Sequence, residues 1–470
     1  MQKLKVFQPF LLLFSTLILL SILSYIPEGI KVGPFETKKV DFIEDIKSDP
    51  ISDDSHNIKE VYKTNSASIF GIFTTSVKDA IPSEFTINKI NELASYNTET
   101  SPQTKEVPIS GNTAQLKKIV TALKNSKNQK VRIAYWGDSA IEGDNITADF
   151  REALQSMFGG IGVGFQSITS QDANFRASIK MTFSSDWNSQ SVTSGTPKNP
   201  VGITGSVFIP KSGSWAEYET TWKYKTVRSF TTARVFYGDV TKASSINYSF
   251  DGGASQTGNL VTGSGVKELT LTSSKEAKKF KFSATQNDQG LFFGVSLEQG
   301  NGVYVDNFPL RGDDGRGILR ISQDQLKGFQ KIQNYDLLII HFGLNVLDKV
   351  KDFGWYEKEM IKVVDHLKAA FPNTSILIVG LGDRSQKKGN KFVTHANLIP
   401  CIDALKNVAS KTNVAFWNLF EAMGGENSMD TWVNASPQLA AKDYTHYTAE
   451  GSKKVAQLLS DALINFYKKN

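Results

Sequence analysis

VRIAYWGDSAIEGDNITADFREAL, Val131 to Leu154, is the stretch on which the fold turns. Its opening, Val131 to Trp136, is apolar apart from Arg132. A short apolar run of this kind predicts a strand buried on both faces. The run breaks at Gly137-Asp138-Ser139. Apolar residues then recur at helical spacing at Ile146, Phe150 and Leu154, predicting a helix from near Ile146. Strand, turn and helix in this order place the Ser139 hydroxyl outside the carboxyl end of a strand, where open α/β sheets bind ligands. Asp and Ser also favour turns through local hydrogen bonds. The stretch alone therefore leaves Ser139 either a turn residue or a nucleophile.

Outward from it the chain alternates. Gln115–Leu123 predicts a helix leading into the first strand. Beyond Val303, Tyr335–His341, Ser375–Leu381 and Val414–Leu419 read as strands, and Glu357–Ala370, Leu398–Ser410 and Gly451–Tyr467 as helices. Such alternation predicts an α/β fold, a parallel sheet flanked by helices in three layers. From about Thr169 to Gly300 the helical period disappears. Short β-rich runs replace it, among them Ala233–Tyr237, Ile246–Phe250, Glu268–Thr272, Lys279–Ser283 and Leu291–Leu297. Turn clusters such as Asp251-Gly252-Gly253 separate them, which predicts an antiparallel β-sandwich inserted into the α/β body. The expected division is a membrane anchor or signal segment (1–27), a spacer (28–108), the first part of the body (109–168), the inserted sandwich (169–302) and the second part of the body (303–470).

Composition narrows the function classes. At 470 residues the chain holds two or three domains of roughly 100–200 residues. Its net charge of +6 comes from 53 basic and 47 acidic side chains, dispersed along the chain. Nucleic-acid binding needs a dense basic patch and gets no support. The single cysteine, Cys401, excludes an intrachain disulfide and a thiolate metal cluster, and its apolar surroundings predict a buried thiol. Val6 to Ile26 is almost wholly apolar after two lysines. That length can cross a bilayer and exceeds the about 7–15 residues of a signal-peptide core. The lysines ahead of it predict a cytoplasmic N-terminus and an exported, extracytoplasmic remainder. Without a clear small-x-small cleavage site, an uncleaved anchor is expected over a cleaved signal, making the membrane a partner through this segment. Pro27 to Pro108 has weak periodicity and reads as a spacer. Composition does not address the oligomeric state.

A serine nucleophile needs a base, a group to orient that base, and donors for the oxyanion. The histidines are His56, His341, His366, His395 and His446. His56 falls in the spacer and His366 inside a helical run. His446 lies in AKDYTHYTAEG, immediately before the last helix, with Asp443 three residues ahead of it. One turn of chain can bring that carboxylate to the imidazole and fix its tautomer. An isolated Asp-x-x-His equally describes a loop acid beside a surface histidine. After Tyr335–His341 comes Phe342-Gly343-Leu344-Asn345, whose amide can point an N–H at a developing oxyanion. Pro309-Leu310-Arg311-Gly312-Asp313 stands before that strand, and Gly312 lets backbone N–H approach a substrate closely. Each, taken singly, also fits an ordinary turn.

Together, Gly-Asp-Ser with Ser139, Gly312, Gly-x-Asn with Asn345, and Asp-x-x-His with Asp443 and His446 resemble the SGNH or GDSL hydrolase family, whose four blocks come in this order. The resemblance covers about Val131–Phe165 and Asp306–Tyr467. Two features depart from it. Val346 stands where many members have Asp, and the second block lies about 170 positions beyond Ser139, with Gly160 and Gly162 as alternatives. The resemblance implies Ser139 as nucleophile, His446 as general base and then acid, and Asp443 as its orienting partner. It implies an oxyanion hole of the Ser139 and Gly312 amides and the Asn345 side chain, with no metal or organic cofactor. A body split at this point is similar to the peptidoglycan O-acetylesterases and related carbohydrate esterases. That similarity implies a jelly-roll-like, carbohydrate-binding-like module and an acylated polysaccharide substrate. A polysaccharide O-acetyltransferase with the same triad, or a non-catalytic anchored glycan-binding protein, are the other readings. Trp187, Trp215, Trp222, Tyr224 and Tyr237 of the insertion could stack on sugars, but the core is the expected place for most large aromatics.

Overall fold

The structure, a computed structural model, describes residues 102–470 and the short antiparallel pairing of Lys31–Val32 with Phe35–Glu36. The expected anchor, most of the spacer, and His56 lie outside the described residues. Residues 102–470 belong to one compact unit. Among the described residues no helix is long and apolar enough to cross a membrane.

Lys130–Gly137 forms the strand next to the edge of a six-stranded sheet, and all of it after Lys130 is buried. Its side chains feed two cores by simple alternation. Val131, Ile133 and Tyr135 join the apolar cluster on one face, Ala134 and Trp136 the cluster on the other. The strand order is Gly302–Pro309, Lys130–Gly137, Tyr335–His341, Ser375–Val379, Ala415–Trp417 and Ser110–Gly111. The first five run parallel. Ser110–Gly111 pairs antiparallel with Ala415–Trp417, so the expected all-parallel sheet carries one reversed edge strand. Helices Lys117–Lys124, Thr147–Phe158 and Ala449–Lys469 cover one face. Gln323–Gln333, Phe353–Ala370 and Leu398–Lys411 cover the other. Cys401 is buried in this second layer, where loss of solvent pushes its thiol up to about 12.

The inserted region folds as two antiparallel sheets. One is ordered Gly263–Ala277, Phe230–Val240, Leu291–Gln299, Ser206–Ile209, Asn188–Ser191; the other Gln256–Leu260, Ser244–Phe250, Lys279–Ala284, Trp215–Thr220, Ile179–Phe183. Tyr218, Phe230, Val235, Phe280, Phe282 and Phe292 fill the space between them. The body covers the centre of the first sheet's outer face. Phe165, Phe236 and Phe293 pack into the body's core with Trp136, Phe308 and Phe329, with Phe165 and Phe308 ring centres 5.6 Å apart. Module and body therefore share a core.

Ile161–Gln166, expected with the body, pairs antiparallel with Leu291–Gln299 of the module. Gly164 explains how it fits. Its φ is +74°, and a Cβ there would meet the Asp306 carboxylate. That carboxylate instead accepts the Phe165 N–H at 2.9 Å. A buried charge seam closes the joint, with Arg132 of the body 2.8 Å and Arg234 of the module 3.0 Å from the two oxygens of Glu298. Burial pushes the Glu298 carboxyl up, and the guanidiniums override it and hold it well below the usual carboxylate range. Trp187, Tyr224 and Tyr237 are buried as core, whereas Trp222 is 66% exposed between Arg228 and Lys278.

Candidate active site

Past Gly137 the chain turns into a kinked 3-10 segment, Ser139–Asp144, non-helical at Glu142 and Gly143, and Asp138 caps its start by accepting the Ala140 N–H at 2.9 Å. Ser139 thus stands beyond the carboxyl end of its strand. Gly137 is in register with Pro309 on one side and His341 on the other. The segments carrying Gly312 and Asn345 therefore leave the sheet at the same edge.

The histidine arrives from the opposite end of the chain. Ala440 bridges to Tyr447, and Thr448 caps the final helix by accepting the Gly451 N–H at 3.2 Å. Between them Asp443 folds over its own turn. Its Oδ1 accepts the amides of Thr445 and His446 at 2.9 and 3.0 Å, and its Oδ2 accepts from His446 Nδ1 at 2.7 Å. His446 Nε2 then lies 3.3 Å from Ser139 Oγ. Partial burial pushes the Asp443 carboxyl up, and the hydrogen bonds from the His446 amide and ring outweigh it, leaving it below its usual value. An ionised Asp443 keeps the proton on Nδ1, so the lone pair of Nε2 faces the serine. The side chains of His446 and Asp443 are 51% and 50% exposed, and the cavity that His446 lines with Ser139, Leu344 and Tyr447 measures only ≈ 30 Å³.

Leu310 through Asp313 close a turn, Asp313 N–H donating to Leu310 O at 3.0 Å. Gly312, at its third position, supplies the required positive φ of +74°. Among the described residues no acceptor takes the amide N–H of Ser139 or of Gly312. Gly160 packs against Val303, which pairs with Val131 near the other end of the strand. Gly162 lies within the strand that pairs with the module. Of the candidate glycines, Gly312 is therefore the one that follows the strand ends around Ser139. Asn345 Nδ2 donates to Asp313 O at 3.0 Å and to Asp138 Oδ2 at 3.3 Å, so its amide hydrogens are held by the protein in this state.

Asp138 is the participant that sequence reasoning treated only as a turn residue. It is 2% exposed, and burial pushes its carboxyl up to about 6 against the pull of the Ala140 hydrogen bond and His446. An Asp directly ahead of a helical turn is the signal that marks such a cap. The remaining described histidines are engaged elsewhere. His341 is buried beside the Tyr135 hydroxyl and pushed down to about 4 by desolvation. His366 meets Gln323, and His395 meets Asp348. Among the described residues no cluster of three or more His, Cys, Asp or Glu side chains is arranged to hold a metal ion.

No family model and no curated protein matches the chain. A solved structure of a peptidoglycan O-acetylesterase aligns with a TM-score of 0.66 at 20% identity, covering 78% of this chain and 100% of that one. A family 2 carbohydrate esterase with a carbohydrate-binding domain, from Corynascus thermopiles (Myceliophthora fergusii), aligns at 0.28 and 12% identity over 61% of this chain and 99% of its own. A family two carbohydrate esterase from Cellvibrio japonicus aligns at 0.26 and 11% over 62% and 98%. The last two differ too much in overall shape to bear on the fold. The chain shares its fold with a peptidoglycan O-acetylesterase, in line with the resemblance its ordered motifs carry.

Proposed function

We propose that this chain is an SGNH-type serine esterase that removes O-acetyl groups from a cell-envelope or extracellular polysaccharide, peptidoglycan first among them. The observation that carries the reading is the hydrogen-bonded line Asp443–His446–Ser139 at a sheet edge where two amide donors stand unpaired. Ser139 Oγ attacks the acetyl carbonyl carbon while His446 Nε2 takes its proton, and Asp443 stabilises the imidazolium. The oxyanion is met by the Ser139 and Gly312 amides. Asn345 joins them by exchanging its longer bond to Asp138. Each such donor is worth about 3 kcal/mol in the transition state. Collapse expels the sugar oxygen, which takes the proton back from His446. Water, deprotonated by the same ring, then releases acetate from the acetyl-serine. Half-exposed catalytic side chains suit an ester carried on a polymer too large for a deep pocket. The shared fold supports the substrate class. A jelly-roll-like, carbohydrate-binding role for the module, and a body held outside the membrane by residues 1–27, belong to the same proposal.

The full chain should release acetate from 4-nitrophenyl acetate and from O-acetylated peptidoglycan, and Ser139→Ala should retain less than about one thousandth of either activity. Equal release by the variant sinks the assignment. Release from the small ester but from neither peptidoglycan nor acetylated xylan rejects the polysaccharide substrate.

A further inference from the structure

A second cavity lies against the Ser139–Asp144 segment and is far larger than the one at the triad, ≈ 320 Å³. That is within the about 300–1,000 Å³ typical of small-molecule sites. The hydrolase body contributes Glu142, three residues beyond Ser139, and Arg311, next to Gly312; the module contributes most of the rest. Nine of its eighteen lining residues are serine or threonine, and Phe208 is its single aromatic. The charged side chains in the wall are paired with one another, Arg176 with Asp172 at 3.0 Å and Arg311 with Glu142 at 3.2 Å. The cavity therefore offers hydroxyls and amides and no lone charge, which disfavours an anionic or apolar ligand.

Two buried polar atoms of the lining have no partner, Thr204 Oγ1 and Asn307 Oδ1. Asn307 is only 4% exposed, and its amide orientation is set by Nδ2, which donates to Ile141 O at 2.9 Å and Asp144 Oδ1 at 3.1 Å. A buried acceptor left unmet is costly and rare in native structures. Both residues line a cavity whose serine, threonine and glutamine side chains suit a ligand rich in hydroxyls. The wall is also tied to the catalytic turn, since Asp172 Oδ2 accepts the Gly143 N–H at 2.7 Å.

We infer that this cavity is a glycan subsite, holding by hydrogen bonds a neutral, polyhydroxylated stretch of the polysaccharide next to the acylated sugar. It deepens the esterase reading and rests on it for the identity of the polymer. Occupancy positions the ester at Ser139 and adds affinity for polymer that a small ester cannot use.

Thr193 is exposed and lines the cavity, so Thr193→Trp fills it from outside the core. In the full chain, kcat/KM on soluble O-acetylated peptidoglycan fragments should fall at least about tenfold, mainly through KM, with 4-nitrophenyl acetate hydrolysis within about twofold of wild type. A second arm needs no catalysis. Calorimetry of Ser139→Ala with de-O-acetylated peptidoglycan fragments as the probe should show binding, weakened at least about tenfold when Thr193→Trp is added. If the tryptophan prevents folding, the milder Gln171→Ala with Thr193→Ala is read the same way. Glycan binding without esterase activity sinks the esterase reading and keeps the subsite. No binding, unchanged polymer activity, or an equal fall on both substrates overturns the subsite.

Discussion

Ser139 and His446 meet at 3.3 Å, yet the two segments that bring them together are built in opposite ways. The serine turn is anchored at both ends by buried carboxylates. Asp138 caps it, and Asp144 sits in a closed cluster with Arg176, Ser178 and Asn307. Burial pushes the Asp144 carboxyl up, but Arg176 and Arg151 override it and keep it below its usual value. The histidine turn is half in solvent, and its imidazole is oriented by one carboxylate three residues away. Nucleophile position is thus secured by buried charge, and base orientation by local chain geometry. Breaking the Asp144–Arg176 cluster should unfold the protein, and damage to the histidine turn should silence it while leaving it folded.

The largest effect should come from the histidine side. Asp443→Asn leaves the turn's geometry but favours the wrong tautomer, and kcat should drop on the order of 10⁴. Because both side chains are exposed, stability should shift by less than about 1 kcal/mol. A variant that stays active, or one that unfolds, would break the contrast. On the serine side, Arg176→Met strands Asp144 and Asp172 without their partner, and urea unfolding should show a loss of about 3–5 kcal/mol. A change within error would mean that the buried cluster does not hold the turn.

How much of this contrast could be read from the sequence depends on range. The strand before Ser139 was legible because Val131 to Trp136 must be covered on both faces, and the Asp443–His446 pair because three residues of turn suffice to join it. Ile161–Gln166 was not. By sequence it falls with the body and marks no element, and the reason for its glycines, close packing of Gly164 on Asp306, lies far along the chain. Ser110–Gly111 is too short to carry any periodicity. The links from Asp172 to Gly143 and from Arg176 to Asp144 are equally remote, so a turn that looked local proved to be held by the module.

Smaller effects sharpen the same comparison. Asn345→Ala should lower kcat about 10²–10³-fold with KM little changed, as expected for a donor used only in the transition state. A rise in KM at unchanged kcat would instead place Asn345 in substrate binding. Asp138 gives a pH signature. Its folded carboxyl at about 6 lies above the ordinary 3.8. The stability it contributes is therefore whole below pH 3.8 and lost as pH rises through 6. The urea-derived stability of Asp138→Asn minus that of wild type should grow between pH 4 and pH 8 by roughly 3 kcal/mol. A difference independent of pH would mean that the carboxyl is not desolvated.

The most direct measurement is covalent labelling by a serine-directed fluorophosphonate, read by mass spectrometry of the digested full chain. One adduct per active molecule is expected, on the peptide that carries Ser139, with acetate release lost in step and labelling slowed in Asp443→Asn. An active chain whose Ser139 stays unlabelled, or whose adduct lies on another residue, would contradict the assignment of Ser139 as the nucleophile.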